Sequence, residues 1–170
     1  GVFHALPISR GSSIKSSHWI NDFGEFYGDP IFQAETSSTL GGLDSLLDPK
    51  GPIKQAQDKA AETFGAKQTY FVTNGTSTSN KIITQSLLQP DDYVIVASDC
   101  HKSICYSVLL SGAHPILITP YTVDEFTLYG AVELIEIKKV MLKLRKAGQL
   151  DRLKLIILTS ATFDGVLYHT

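Results

Sequence analysis

Thr69-Tyr70-Phe71-Val72-Thr73-Asn74-Gly75-Thr76-Ser77-Thr78-Ser79-Asn80 opens the part of the chain, closing at Ser103, from which the architecture is most directly read. A β-branched and aromatic run, 69–72, leads into a glycine turn lined with hydroxyls and then a helix-like segment over 81–88. A strand, a glycine turn and a helix start together make an anion site: unpaired backbone N–H groups and the positive helix end point the same way, and hydroxyls add hydrogen bonds. The next apolar run, Tyr93-Val94-Ile95-Val96-Ala97, ends in a second loop, Ser98-Asp99-Cys100-His101-Lys102-Ser103. In an open parallel sheet both loops lie at the carboxyl edge, where ligands bind.

Working outward, the pattern stays regular. Upstream, Pro52 suits a first helical residue, Ile53, Ala56, Ala60 and Phe64 form one apolar stripe, and Gly65 sits where a helix stops. Downstream, a helix is predicted over 102–111 before Gly112, then a strand over 115–119 and an irregular stretch around Asp124. A long amphipathic helix over 132–147 ends before Gly148, and a wholly apolar strand spans 153–158. The charged side of the long helix, with Glu136, Lys139 and Lys143, reads as a solvated surface. Apolar strands alternating with amphipathic helices predict an α/β protein: three layers, α/β/α, around a mostly parallel sheet.

Residues 1–50 read differently. Gly11-Ser12-Ser13, Thr36-Ser37-Ser38-Thr39 and Asp48-Pro49-Lys50-Gly51-Pro52 are rich in structure breakers, and Phe23, Phe26, Tyr27, Ile31 and Phe32 form short patches between them. The expectation is an N-terminal arm over 1–50, extended or irregular, packing on the rest or on a partner subunit, followed by a regular domain over 51–170.

The 170 residues and 43% hydrophobic content suit a packed core, and the net charge of −2 argues against nucleic acid or an anionic membrane as partner. No apolar run approaches the ~20 residues of a membrane span, and the first residues show no signal-peptide pattern. Cys100 and Cys105 make no disulfide framework, which fits a cytoplasmic location.

Several residues invite chemical readings. Thr76, Ser77 and Thr78 suit either a helix start or a phosphate site. His101 is a helix-start histidine or a ligand group. Cys100 beside His101 is a weak candidate nucleophile, because sequence neighbours rarely converge on one atom. Cys100, Cys105, His101 and His114 lack the usual zinc spacing, so no metal site is expected. Asp44, Asp48 and Asp164 read as turn formers before they read as catalytic carboxylates.

Together, Gly51-Pro52-Ile53-Lys54-Gln55-Ala56-Gln57, Asn74-Gly75-Thr76-Ser77-Thr78-Ser79-Asn80, Asp99-Cys100-His101-Lys102-Ser103, Leu110-Ser111-Gly112-Ala113 and Thr162-Phe163-Asp164-Gly165 form a series. In order and separation it resembles the major domain of the bacterial ornithine/lysine/arginine decarboxylases, pyridoxal-phosphate (PLP) enzymes of the aspartate-aminotransferase fold (fold type I). The resemblance implies that groups at Gly75, Thr76 and Ser77 hold the cofactor phosphate and that His101 stacks on its pyridine ring. It implies an amino-acid substrate and a homodimer or higher homo-oligomer. Ser160 and Phe163 stand where the family commonly has Asn and Tyr. The family's cofactor-bearing lysine and the aspartate that pairs with the pyridine nitrogen belong to motifs beyond Thr170, so the chain is expected to be a fragment, and Lys102 is not that lysine. Another fold-type-I activity, or a non-catalytic homologue that binds a phosphate-bearing ligand, stays open.

Overall fold

The computed structural model describes residues 11–16, 18, 22–34 and 44–167, and the chain divides into two compact units, one ending at Phe71 and the other beginning at Val72. In the first unit, where the sequence lacks a sustained period, α1 (Ser12–Ser16), α2 (Asp22–Tyr27) and α3 (Asp29–Gln33) are helices too short to display one. The aromatic patch packs edge to face, with Phe26 and Tyr27 centroids 4.7 Å apart and Phe23 and Tyr27 5.7 Å apart. The longer α4 (Pro52–Phe64) starts on its proline. It stops at Gly65, whose left-handed φ of 63° turns the chain so that its N–H meets the carbonyls of Ala61 and Glu62.

Residues 69–72 correct the sequence reading: they form no strand. A strand exists through its ladder, and β-branched composition supplies no partner by itself. Tyr70, 72% exposed, lies outside any core.

The second unit is built on a three-stranded parallel sheet in the order β2-β1-β5, with β1 (Tyr93–Ala97) in the centre, β2 (His114–Ile118) and β5 (Leu153–Ile157). Before β1 comes α5 (Thr76–Leu87), and α6 (Lys102–Ser111) connects β1 to β2. Between β2 and β5 lie a two-residue-per-strand hairpin, β3 (Thr122–Val123) and β4 (Leu128–Tyr129), and then α7 (Leu134–Lys146). The hairpin encloses a 3-10 turn at Asp124–Phe126, the stretch the sequence left irregular.

The strand order explains the layers. The connection from β1 moves to one side of the sheet and the connection from β2 carries the chain back past β1 to the other. Right-handed crossovers then put α6 and α7 on opposite faces. Accordingly Val94 and Val96 pack with Leu88, Ile104, Val108 and Ala113 on the α6 face, while Ile95 and Ala97 pack with Ile118, Val132 and Ile137 on the α7 face. Residues 94–97 are at most 1% exposed, which is why β1 reads as a continuous apolar run. Burying each Val or Ile side chain contributes roughly 1.5–3 kcal/mol. The result is the three-layer α/β/α architecture with a parallel sheet. The reversal of winding next to β1 makes its carboxyl end a switch point, the usual place for a ligand in such sheets.

Candidate functional site

At the carboxyl end of β1 the chain enters α6, and α5 packs beside it. Helix α5 begins at Thr76, not at residue 81, so Thr76, Ser77 and Thr78 form its first turn. Gly75 precedes it with φ 83° and ψ 165°, a conformation open in practice to glycine alone. Its carbonyl accepts the N–H groups of Thr78 at 3.0 Å and Ser79 at 3.4 Å. The Thr78 hydroxyl turns back to the Asn74 carbonyl at 3.0 Å. Among the described residues, the N–H groups and hydroxyls of Thr76 and Ser77 meet no partner, and no side chain caps this helix. Such a helix start carries a partial positive charge and donors aimed outward.

His101 is the N-cap of α6. Its Nδ1 accepts the Ser103 N–H at 3.2 Å and lies 2.9 Å from the Ser103 hydroxyl. That hydroxyl in turn accepts the side-chain N–H of Asn80, on α5, at 2.8 Å. Two further bonds tie the helices internally: the Ser107 hydroxyl donates to the Ser103 carbonyl at 2.5 Å and the Thr84 hydroxyl to the Asn80 carbonyl at 2.7 Å. Both hydroxyl-bearing side chains are buried, and both are satisfied, as buried polar groups must be.

A cavity of about 230 Å³ opens between the two helix starts, lined by Ser77 and Lys81 from α5 and by His101, Lys102 and Tyr106 from α6, among others. Two ammonium groups, a hydroxyl and a planar ring suit a ligand that joins an anion to a flat heterocycle. Of the residues singled out from sequence as ligand groups, Ser77, Thr78 and His101 line this cavity. Gly75 and Thr76 belong to the same helix start but stand outside its lining. Asn80, Ser103 and Lys81 escaped assignment. Asn80 and Ser103 stand in the motifs quoted above, and their spacing was the further signal: Asn80 lies one helical turn after Thr76, and Ser103 lies where an N-cap side chain finds its partner.

The remaining candidates separate. Burial pushes the Cys100 thiol up to about 11, helped by Cys105, whose Sγ is 3.8 Å away, and by the charge of Asp99. A thiol held protonated at neutral pH is a poor nucleophile. Both Asp99 carboxylate oxygens are buried without a hydrogen-bond partner among the described residues. His114 pairs in register with Tyr93 at the amino end of β1, the sheet edge opposite Cys100, and its Nε2 lies 3.1 Å from Asp91. Asp44 accepts three backbone N–H groups around the start of α4. Asp164 sits in a tight turn after β5 in which the Gly165 N–H meets the Thr162 carbonyl at 3.1 Å, with Phe163 fully exposed. Asp48 bridges to Lys50 on the surface.

Comparison with known proteins bears on the family and the fold. The family model described as the Orn/Lys/Arg decarboxylase major domain matches residues 3–170. A lysine decarboxylase of Pseudomonas aeruginosa is 38% identical over 173 residues, covering 98% of this chain and 23% of its own length. The biodegradative arginine decarboxylase of Escherichia coli is 31% identical over 156 residues, covering 86% of this chain and 20% of that protein. The solved structure of lysine decarboxylase A from Pseudomonas aeruginosa superposes with a TM-score of 0.83 at 34% identity, over 97% of this chain and 23% of that one. The chain thus spans about a quarter or less of these relatives. With the fold, the order of motifs and the match in accord, the chain belongs to the Orn/Lys/Arg decarboxylase family, within its major domain.

Proposed function

We propose that this chain forms part of a PLP-dependent decarboxylase that converts a basic amino acid, arginine, lysine or ornithine, to the amine and CO₂. Its contribution is the phosphate site and the ring-stacking histidine. The observation that carries the reading is the convergence of two helix starts on one cavity, with Ser77 from one and His101 from the other in its lining. The donor set fits the cofactor. Thr76 and Ser77 offer unpartnered N–H and O–H donors to a phosphate, Lys81 and Lys102 add positive charge, and the exposed His101 ring offers a flat face. When bound, PLP supplies an electron-withdrawing ring that accommodates the electron pair left by departing CO₂. The work of these residues is to bind and orient: the helix start holds one end of the cofactor and His101 fixes the plane of the other.

Homodimerisation in the cytoplasm belongs to the same proposal. Ile82 and Ile83 of α5 and Leu109 and Leu110 of α6 are about half to three-quarters exposed, apolar surface of the kind a further chain covers.

The test uses the full-length enzyme carrying this segment. PLP titration should show weaker binding for Thr76→Ala with Ser77→Ala and for His101→Ala, and CO₂ release should follow from at least one of the three amino acids. Undiminished PLP binding in all these variants would overturn the site. Tight PLP binding without CO₂ release from any of the three would overturn the activity.

A further inference from the structure

We propose that Asn80 is a positioning residue which, acting through the Ser103 hydroxyl, reinforces the tautomer of the His101 ring that the Ser103 backbone N–H selects, so that Nε2 carries the proton while the ring keeps its face to the ligand. The hydrogen bonds Asn80–Ser103–His101 form a chain whose direction is fixed by one backbone group. The Ser103 N–H lies 3.2 Å from His101 Nδ1 and can only donate, so Nδ1 must accept. The Ser103 hydroxyl, 2.9 Å from the same nitrogen, is then obliged to donate to it as well. With its own proton so committed, Ser103 Oγ receives the Asn80 side-chain N–H at 2.8 Å. The sense of every bond follows: Asn80 amide to Ser103 oxygen, Ser103 proton to Nδ1, and in the neutral ring the remaining proton on Nε2.

The placement gives this chain its use. Ser103 is 9% exposed and anchored through the Ser107 hydroxyl at its carbonyl, so the relay rests on a fixed point in α6. Asn80 lies one turn beyond Thr76 on the helix whose start faces the anion, and its carbonyl is held by buried Thr84. A group bound at the start of α5 is thereby linked through a single turn of helix to the orientation of the ring. The Ser103 N–H and hydroxyl share the one Nδ1 lone pair and so restrain the ring, while Nε2 meets no partner among the described residues. The role rests on the proposed cofactor site, but the relay itself exists whether or not a cofactor binds.

Solid-state ¹⁵N NMR of the complete protein, labelled at its histidine rings and measured without PLP, reads the tautomer directly. His101 is assigned by the signal lost in His101→Gln, and spectra are taken at a pH where that ring is neutral. In the unaltered protein Nδ1 should appear unprotonated and hydrogen-bonded. Asn80→Asp keeps the shape but removes the donor and competes for the Ser103 proton, so the Nδ1–H population should rise on the order of fivefold. Ser103→Ala should act likewise, while Ser103→Thr, which keeps the hydroxyl, should restore the original spectrum. An Nδ1–H ring in the unaltered protein, or a tautomer ratio indifferent to Asn80→Asp and Ser103→Ala, would overturn the relay. If the spectra behave as expected and PLP fails to bind, the relay stands and only the cofactor reading falls.

Discussion

The carboxylate of Asp44 reaches nine residues along the chain to accept the N–H of Ile53 at 2.7 Å, and its second oxygen takes the N–H groups of Lys50 at 2.6 Å and Gly51 at 2.7 Å. Pro52 has no N–H, so Asp44 takes the donor at the Gly51 N-cap and that of Ile53, the first N–H within α4.

These bonds determine a pH dependence. Burial pushes the Asp44 pKa up, but the N–H groups of Gly51, Ile53 and Lys50 outweigh it and bring the group down to about 2. A lowered folded-state pKa means the contribution is complete above about pH 4, the unfolded carboxylate value, and is lost as the pH falls through about 2. Helix content followed by circular dichroism should decline over this window, and Asp44→Ala should remove that part of the titration. Superimposable acid profiles would show that the cap contributes nothing.

Cys100 should ionise only in strongly alkaline solution, near its value of about 11. Thiolate absorbance against pH should show Cys105→Ala lowering that midpoint, since it removes a hydrogen bond and a neighbouring charge while most of the burial remains. Asp99→Asn should lower it less. The same substitution should leave the melting temperature unchanged or raise it, because it neutralises a buried carboxylate that has no hydrogen-bond partner among the described residues. A fall in melting temperature would mean that the charge has a stabilising partner.

Gly75→Ala places a side chain on a backbone at φ 83° and ψ 165°, although no atom stands within 4 Å of the new Cβ. The cost is therefore conformational, about 1–3 kcal/mol. Urea unfolding should show this loss, or PLP affinity should fall if the turn relaxes instead. Neither change would mean that the turn accepts a side chain freely.

Ile95, fully buried at the centre of the sheet, and Leu109, 76% exposed on α6, separate core from surface. Ile95→Ala should destabilise by about 2–5 kcal/mol and Leu109→Ala by about 0.5 kcal/mol or less in the isolated subunit. A large effect of Leu109→Ala that grows with protein concentration would place that residue in a subunit contact.

Much of this was legible in the residues. Tyr93-Val94-Ile95-Val96-Ala97 reads as a buried parallel strand because every position is apolar, and Gly65 and Gly112 mark helix ends because the left-handed conformation favours glycine. The start of α5 was misjudged because threonines and serines serve equally well as loop and as first helical turn, where donors face outward in either case. Residues 69–72 have a strand's composition, but composition cannot provide the neighbouring strand.

Residue order alone was enough for the strands over 93–97, 115–119 and 153–158, the helices between them, their α/β alternation and the Gly75–Ser77 and His101 motifs, since these depend on local periodicity and turn chemistry. Only the tertiary structure decided the strand order β2-β1-β5, the shared cavity of Ser77 and His101, the isolation of His114 at the far edge, and the passage from Asn80 through Ser103 to His101. Each joins groups far apart in the chain. Their distances follow from how helices pack on a sheet, not from any spacing along the chain.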